Sequence, residues 1–101
     1  MSRKHIKKSY AELGVVSMFK ATVYVTLRES VLDPQGNAVH ESLHSLGYDE
    51  VGDVRIGKYM ELEINSDDQK AAEERVRNMC EKLLANTVIE DFRFDLNKLE
   101  G

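Results

Sequence analysis

Among its 101 residues the sequence has only one cysteine, the residue type that forms disulfide cross-links, and one proline, which restricts the backbone. It has no tryptophan. Cys80 cannot form a disulfide within the chain, and no secretory signal pattern is present, so we expect a reducing cytoplasm. No apolar run approaches the ~18 residues of a membrane-spanning helix, so no membrane partner is expected. Glycine-rich phosphate loops and Ser-His-Asp orders are also absent from the sequence, which excludes the enzymes that depend on them.

Charge is distributed unevenly along the chain. Residues 1–17 hold four Lys or Arg residues and one acidic residue, whereas the whole chain has a formal net charge of −4. An acidic body argues against nucleic acid as the main ligand, because phosphate binding draws its affinity from Lys and Arg. We therefore predict a flexible N-terminal extension over residues 1–17 and one folded domain over residues 18–101.

Hydrophobic periodicity predicts the strands. FKATVYVTL (19–27) and FRFDL (92–96) alternate apolar and polar residues, which indicates half-buried strands. VGDVRIGKYMELEI (51–64) favours a hairpin that turns at Gly57-Lys58. The polar face of the resulting sheet and its edges are where we expect self-association, because a domain of this size is marginally stable alone.

Two helices are predicted between these strands. Asp33 and Pro34 are typical of a helix start, and Gly47 is typical of a helix end. Ser66-x-x-Gln69 reads as a capping box for a second helix that runs to Leu84 with Cys80 buried in its apolar stripe. The order β-α-β-β-α-β predicts an α+β two-layer sandwich, with two helices on one face of a four-stranded, mainly antiparallel sheet.

Residues 40–44 read HESLH, the His-Glu-x-x-His pattern of many zinc peptidases. Two histidines at i and i+4 share a helix face, and Glu41 beside them could act as general base. His40 and His44 lie about 100° off the apolar stripe, near solvent, and no third ligand has a fixed position. A zinc hydrolase through His40, Glu41 and His44 is therefore a remote alternative, whereas metal binding by the pair without catalysis stays open.

Two stretches suggest contacts with other chains. In LDPQGNAV (32–39), Gly36 falls in the first helical turn, where glycine costs roughly 0.5–1 kcal/mol relative to alanine. Either the helix entry is tight, or another chain approaches the backbone there and uses Leu32, Asp33, Gln35 and Gly36. In MCEKLLANTVIEDF (79–92), Leu84 falls off the main stripe and either faces a partner or belongs to an ordinary helix end.

Three segments in this order, TLRESVLDPQGNAV, VRIGKYMEL and MCEKLLANTVIEDF, resemble the PurS-type small subunit family of phosphoribosylformylglycinamidine (FGAM) synthase. The resemblance covers about residues 18–97. It implies a non-catalytic subunit in purine synthesis that forms a homodimer or higher homo-oligomer. It also implies two partners, a glutaminase subunit that releases ammonia and a large synthetase subunit that uses ATP and Mg²⁺. The small subunit joins them so that ammonia is delivered, and no cofactor is bound by this chain alone.

The resemblance further implies that subunit contacts come from the start of the first helix, from the predicted hairpin and from the end of the second helix. The candidates are Leu32, Asp33, Pro34, Gln35, Gly36, Arg55, Lys58, Tyr59, Leu83, Leu84 and Asn86. Thr87 stands where the family commonly has proline, which leaves the φ angle of that turn unfixed. A small-molecule-binding regulatory module with the same element order is the alternative function from a different class.

Overall fold

The computed structural model describes residues 18–99, and the predicted extension over residues 1–17 lies outside them. The described chain forms strand β1 (Met18–Leu27), helix α1 (Pro34–Ser45), strand β2 (Gly57–Asn65), helix α2 (Gln69–Met79), a π-helical turn (Cys80–Leu84) and strand β3 (Glu90–Leu99). None of the helices within residues 18–99 is both long enough and apolar enough to cross a membrane.

The sheet has three antiparallel strands in the order β2-β1-β3, so β1 is its centre. The alternation in β1 is confirmed, because Phe19, Ala21, Val23 and Val25 are buried. Their side chains share one face, which is the inner face of the sheet. The opposite face carries polar and aromatic side chains, with Tyr24 registered between its neighbours on β2 and β3.

The α+β class is confirmed, but the predicted fourth strand and its hairpin are wrong. Residues 51–56 are not in a strand, and Gly57, predicted as a turn residue, begins β2 opposite Thr26. This segment contacts the loop before α1 instead, where the Ile56 amide donates a hydrogen bond to the Asp33 carboxylate at 2.8 Å. Glycine at 57 reflects close strand approach, since an added Cβ would lie 2.2 Å from the Val25 carbonyl oxygen.

Helix α2 covers the inner face of the sheet. Ala72 and Val76 are buried and Val76 belongs to the same core cluster as Val23 and Val25. The N-cap is Asp68, whose carboxylate accepts from the Lys70 amide at 3.1 Å, so the cap predicted at Ser66 is displaced by two residues. The α-helix runs from Gln69 to Met79, and the predicted end at Leu84 is reached through the π-helical turn.

Cys80 is fully buried, as the apolar stripe predicted, and burial raises the pKa of its thiol. It begins the π-helical turn, which closes with a bond from the Ala85 amide to the Cys80 carbonyl at 2.9 Å. A π-helical turn has more residues per turn than an α-helix and so rotates less per residue, which moves Leu83 away from the face of Cys80 and brings Leu84 onto that face. Leu83 is consequently 81% exposed while Leu84 packs on the core, so the prediction that Leu84 lies off the buried stripe is wrong.

Helix α1 begins and ends where the sequence indicated. Asp33 is its N-cap, Pro34 its first residue, and Gly47 adopts a φ of +99° just beyond its end. Of its residues only Gly36 is buried, and Leu46 at its C-cap is 73% exposed. Helix α2 therefore covers the sheet core, whereas α1 contacts residues 51–56 through Gly36 in its first turn and through His44 in its last.

Gly36→Ala tests that packing. An added Cβ would lie 2.0 Å from the Val54 carbonyl oxygen. We expect the free energy of unfolding to fall by about 1–3 kcal/mol, because overpacking outweighs the roughly 0.5–1 kcal/mol that alanine gains in a helix. Urea denaturation measures it. Gly52→Ala is the control, since nothing lies within 4 Å of its added Cβ, and a loss of equal size there would contradict the argument.

A pair of leucine truncations tests the π-helical turn. Leu84→Ala removes a side chain that packs on the core and should cost about 1–3 kcal/mol. Leu83→Ala removes an exposed side chain and should change stability by no more than about 0.5 kcal/mol. Thermal unfolding of the isolated chain distinguishes the two. A larger loss of stability in Leu83→Ala than in Leu84→Ala would mean that the α-helix continues through these residues without a π-helical turn.

Candidate functional site

Three connecting segments meet where β1 ends and where β2 and β3 begin. They are residues 28–33, 51–56 and 85–89, and we call their meeting point the strand-end junction. The Arg28 amide donates to the Ile89 carbonyl at 2.9 Å, and the Arg55 guanidinium donates to the Arg28 carbonyl at 2.8 Å. Most of the predicted contact residues lie in or beside this junction.

Asp33 occupies the centre of the strand-end junction and is 5% exposed. One carboxylate oxygen accepts from the Gly36 amide at 2.9 Å, and the other accepts from the Ile56 amide at 2.8 Å. The bond from Ile56, then that from Gly36, and then the nearby charge of Arg55 lower the pKa of this carboxyl. Its side chain is therefore committed to holding α1 and residues 51–56 together.

Arg55 binds the loop that follows β1. Its Nη2 donates to the Arg28 carbonyl at 2.8 Å and to the Val31 carbonyl at 3.0 Å. Arg55 falls in the predicted hairpin, but no hairpin forms there, and Arg55 lies before β2. A guanidinium suits the observed task because its fixed donors can reach several carbonyls at once.

Arg28, which sequence reasoning missed, attaches the third segment. Its guanidinium donates to the Thr87 carbonyl, and its Nε lies 3.6 Å from an Asp91 carboxylate oxygen. The turn that contains Thr87 is also held by Asn86, whose side-chain oxygen accepts from the Val88 amide at 3.1 Å. These bonds order a turn that has no proline. The sequence offered no signal for Arg28, because a backbone carbonyl 59 residues away has no characteristic pattern.

Exposed aliphatic side chains surround the strand-end junction. Leu32 is 74% exposed, Leu83 is 81% exposed, and Val88, which sequence reasoning also missed, is 79% exposed. Pro34, Gln35 and Asn86 are exposed as well. Side chains of this kind on hydrogen-bonded loops are suited to a protein interface, since they are apolar and already ordered.

Two predicted contact residues are used within the chain. Asp33 binds two of the chain's own amides, and the Gly36 backbone packs against the chain's own Val54. The tight entry into α1 therefore accounts for Gly36. The prediction that the remaining residues form subunit contacts stays a prediction.

Lys58 and Tyr59 lie on the sheet, where they line a shallow groove. Its other lining residues are Tyr24, Thr26, Gly57, Asp91, Phe92 and Arg93. The rings of Tyr24 and Tyr59 are 5.6 Å apart, and the Arg93 guanidinium lies 3.9 Å from the centre of the Tyr24 ring. Tyr59 donates to Glu61, which raises the pKa of the phenol and lowers that of the carboxyl.

The HESLH motif lies in the C-terminal half of α1, where His44 contacts the first residue of the segment 51–56. The rings of His40 and His44 are 4.3 Å apart between centroids. His44 Nε2 lies 2.8 Å from the Val51 carbonyl oxygen, so His44 ties the loop after α1 to the helix. Within residues 18–99, no three His, Cys, Asp or Glu side chains are grouped so that they could hold a metal ion.

Comparison with known proteins gives the family. A family model described as PurS: Phosphoribosylformylglycinamidine (FGAM) synthase matches residues 20–98. Phosphoribosylformylglycinamidine synthase subunit PurS of Bacillus subtilis (strain 168) is 60% identical over 82 residues, which are 81% of this chain and 96% of that protein. The chain belongs to the PurS family. The same subunit of Synechocystis is 52% identical over 83 residues, with 82% and 83% of the two chains covered.

Solved PurS structures share the fold. The C2 crystal form of B. subtilis PurS has a TM-score of 0.70 at 59% identity and covers 78% of this chain and 98% of that one. PurS of Methanocaldococcus jannaschii, described as one of the subunits of formylglycinamide ribonucleotide amidotransferase in the purine biosynthetic pathway, has a TM-score of 0.72 at 36% identity, covering 81% and 99%. A chain in the structure of PurLQS from Thermotoga maritima has a TM-score of 0.70 at 32% identity, covering 81% and 98%.

Asp33→Asn tests the centre of the strand-end junction. Asparagine has one oxygen in place of two, so it keeps one backbone bond and turns an N–H donor toward the other amide. We expect a lower urea midpoint at pH 7. The folded pKa lies below the ordinary value of 3.8, so the wild-type advantage is present above that pH and is lost as the pH falls through the folded pKa.

The difference in stability between wild type and Asp33→Asn should therefore shrink in acid, as measured by urea denaturation from pH 7 to pH 2. Asp67→Asn, at an exposed carboxylate next to the cap of α2, is the control and should leave the midpoint at pH 7 unchanged. Equal midpoints for wild type and Asp33→Asn would mean that the two backbone bonds contribute nothing.

Proposed function

We propose that this PurS-family chain is a non-catalytic subunit of FGAM synthase that joins a glutaminase subunit to a large synthetase subunit. The observation that carries the proposal is the likeness, over nearly the whole described domain, to PurS subunits and to a chain of the PurLQS structure. In that complex, glutamine and ATP convert formylglycinamide ribonucleotide to the amidine FGAM in purine biosynthesis. ATP and Mg²⁺ would be bound by the large subunit, and the complex would act in the cytoplasm.

The physical reason for a joining subunit lies in the chemistry of ammonia. At neutral pH free ammonia is mostly ammonium, which has no lone pair to attack the activated amide. A closed complex passes NH₃ from one active site to the next without protonation or dilution. A subunit that only holds two active sites together needs ordered contact surfaces and no reacting groups of its own.

The strand-end junction supports this role. Hydrogen bonds from Asp33, Arg55 and Arg28 order its three segments before any partner arrives. Little conformational entropy is then lost when the exposed aliphatic side chains are buried in a contact. An approaching subunit would therefore meet exposed apolar side chains on segments that are already held in place by hydrogen bonds.

Self-association is part of the proposal. In the described sheet, β2 and β3 each pair on one side only, because β1 lies between them. Unpaired edges are places where a second copy can add strands. A homodimer or higher homo-oligomer would also bury more surface than a domain of this size can bury alone. Analytical ultracentrifugation of the isolated chain measures the oligomeric state.

Reconstitution tests the joining role. The cognate glutaminase and large synthetase subunits are mixed with ATP, Mg²⁺, glutamine and formylglycinamide ribonucleotide, and FGAM is followed with and without the chain. We expect glutamine-dependent product only when the chain is present, and ammonium-dependent product from the large subunit without it. Unchanged product from glutamine in the absence of the chain would contradict the proposal.

Leu32→Asp tests whether the strand-end junction is the contact surface. A charge placed in a desolvated contact should weaken assembly by about 2 kcal/mol or more, which is about thirtyfold in Kd. Glutamine-dependent activity should fall accordingly, while ammonium-dependent activity is unchanged. Leu46→Asp is the matched control: Leu46 is 73% exposed, compared with 74% for Leu32, and lies at the other end of α1. Equal losses in the two variants would contradict the assignment of the surface.

The groove on the polar face of the sheet favours the alternative, a small-molecule-binding regulatory module. Its two tyrosines and two cations could hold a planar anion. The groups already contact each other, with Arg93 over Tyr24 and Tyr59 bonded to Glu61. A ligand would have to replace these contacts, so the joining role is the better-supported function. A saturable rise in the Tm of the chain with one nucleotide or amino acid would favour the regulatory module over the joining role.

A further inference from the structure

We propose that His40 and His44 form a two-histidine site on α1 for a divalent transition-metal ion such as Cu²⁺, Ni²⁺ or Zn²⁺. The inference goes beyond the joining role and does not depend on it. The side chains stand one helical turn apart, and their ring centroids are separated by 4.3 Å. Residues at i and i+4 of a helix are neighbours on one face, so two ring nitrogens can reach the same ion.

The hydrogen bond of His44 prepares that ring for coordination. A backbone carbonyl only accepts hydrogen bonds, so the 2.8 Å contact with the Val51 carbonyl requires that Nε2 carry the proton. The lone pair of the neutral ring is then on Nδ1. Metal-binding histidines usually donate their second ring N–H to a carbonyl or carboxylate in this way, which fixes the tautomer and the orientation of the ring.

The surroundings favour a cation. Residues 34–54 contain no Lys or Arg, and their acidic residues, Glu41, Asp49, Glu50 and Asp53, are all exposed. His44 lies in the last turn of α1, where the helix dipole gives the helix end a partial negative charge. Both effects raise the local concentration of divalent ions and oppose their loss.

The donor set determines the kind of site. Imidazole nitrogen suits Cu, Ni and Zn, and copper has the highest affinity for such donors in the divalent series. Since no three potential ligands are grouped within residues 18–99, water would complete the coordination. The site would then bind reversibly, and it would lack the third protein ligand of zinc peptidases.

The test uses the untagged full-length chain with His5→Gln, which removes the third histidine of the sequence. Cu²⁺ is titrated at pH 7.5 against glycine as a weak competitor, and electron paramagnetic resonance reports nitrogen coordination. We expect one equivalent of bound copper with nitrogen ligands. Adding either His40→Gln or His44→Gln should weaken copper binding by more than about tenfold. Removing a residue that only orients a metal ligand already lowers metal affinity by at least about that factor.

Glutamine is chosen because its side-chain amide can still donate to the Val51 carbonyl, so the loop contact can survive His44→Gln. Unfolding with and without saturating Cu²⁺ provides a second readout: the Tm should rise in the parent and not in either variant. Binding that is unchanged in either single variant would overturn the proposal, as would a copper site whose affinity depends on neither histidine.

Discussion

The Asp33 carboxylate accepts one hydrogen bond from the first turn of α1 and one from Ile56, and the arrangement of the strand ends depends on this pair of bonds. Because Ile56 is held there, residues 51–56 stay out of the sheet and Val54 closes over Gly36. Arg55 is thereby placed where its guanidinium reaches the Arg28 and Val31 carbonyls. One buried carboxylate thus joins segments that are 23 residues apart in sequence.

This arrangement suits a subunit whose task is assembly. Several backbone groups of the connecting segments are bonded within the chain, while Leu32 and Val88 on these segments and Leu83 beside them are exposed. A surface that is ordered before binding loses less entropy on binding than a flexible one. In the proposed joining role, the described domain contributes contact surfaces to FGAM synthase, and the reacting groups belong to the other subunits.

Local patterns in the sequence predicted the local structure. Period-two alternation identified β1 and β3, and Asp33-Pro34 and Gly47 bounded α1, because these signals arise within a few residues. The hairpin prediction failed because Val54 and Ile56 alternate like a strand, while the competing partner, Asp33, is distant in sequence. Leu84 packs on the core because of the π-helical turn, which a periodicity of 3.6 residues cannot show. Likewise, Asp33 was predicted as a cap, but its second bond was not foreseeable.

Amide hydrogen exchange, followed by NMR, tests the central role of Asp33 most directly. Ile56 lies outside every strand, so its amide owes its protection to the Asp33 carboxylate. The account predicts that the Ile56 and Gly36 amides exchange slowly in the native chain and that Asp33→Asn speeds up their exchange while β1 stays protected. An Ile56 amide that exchanges in the native chain as fast as an unstructured peptide would contradict the account.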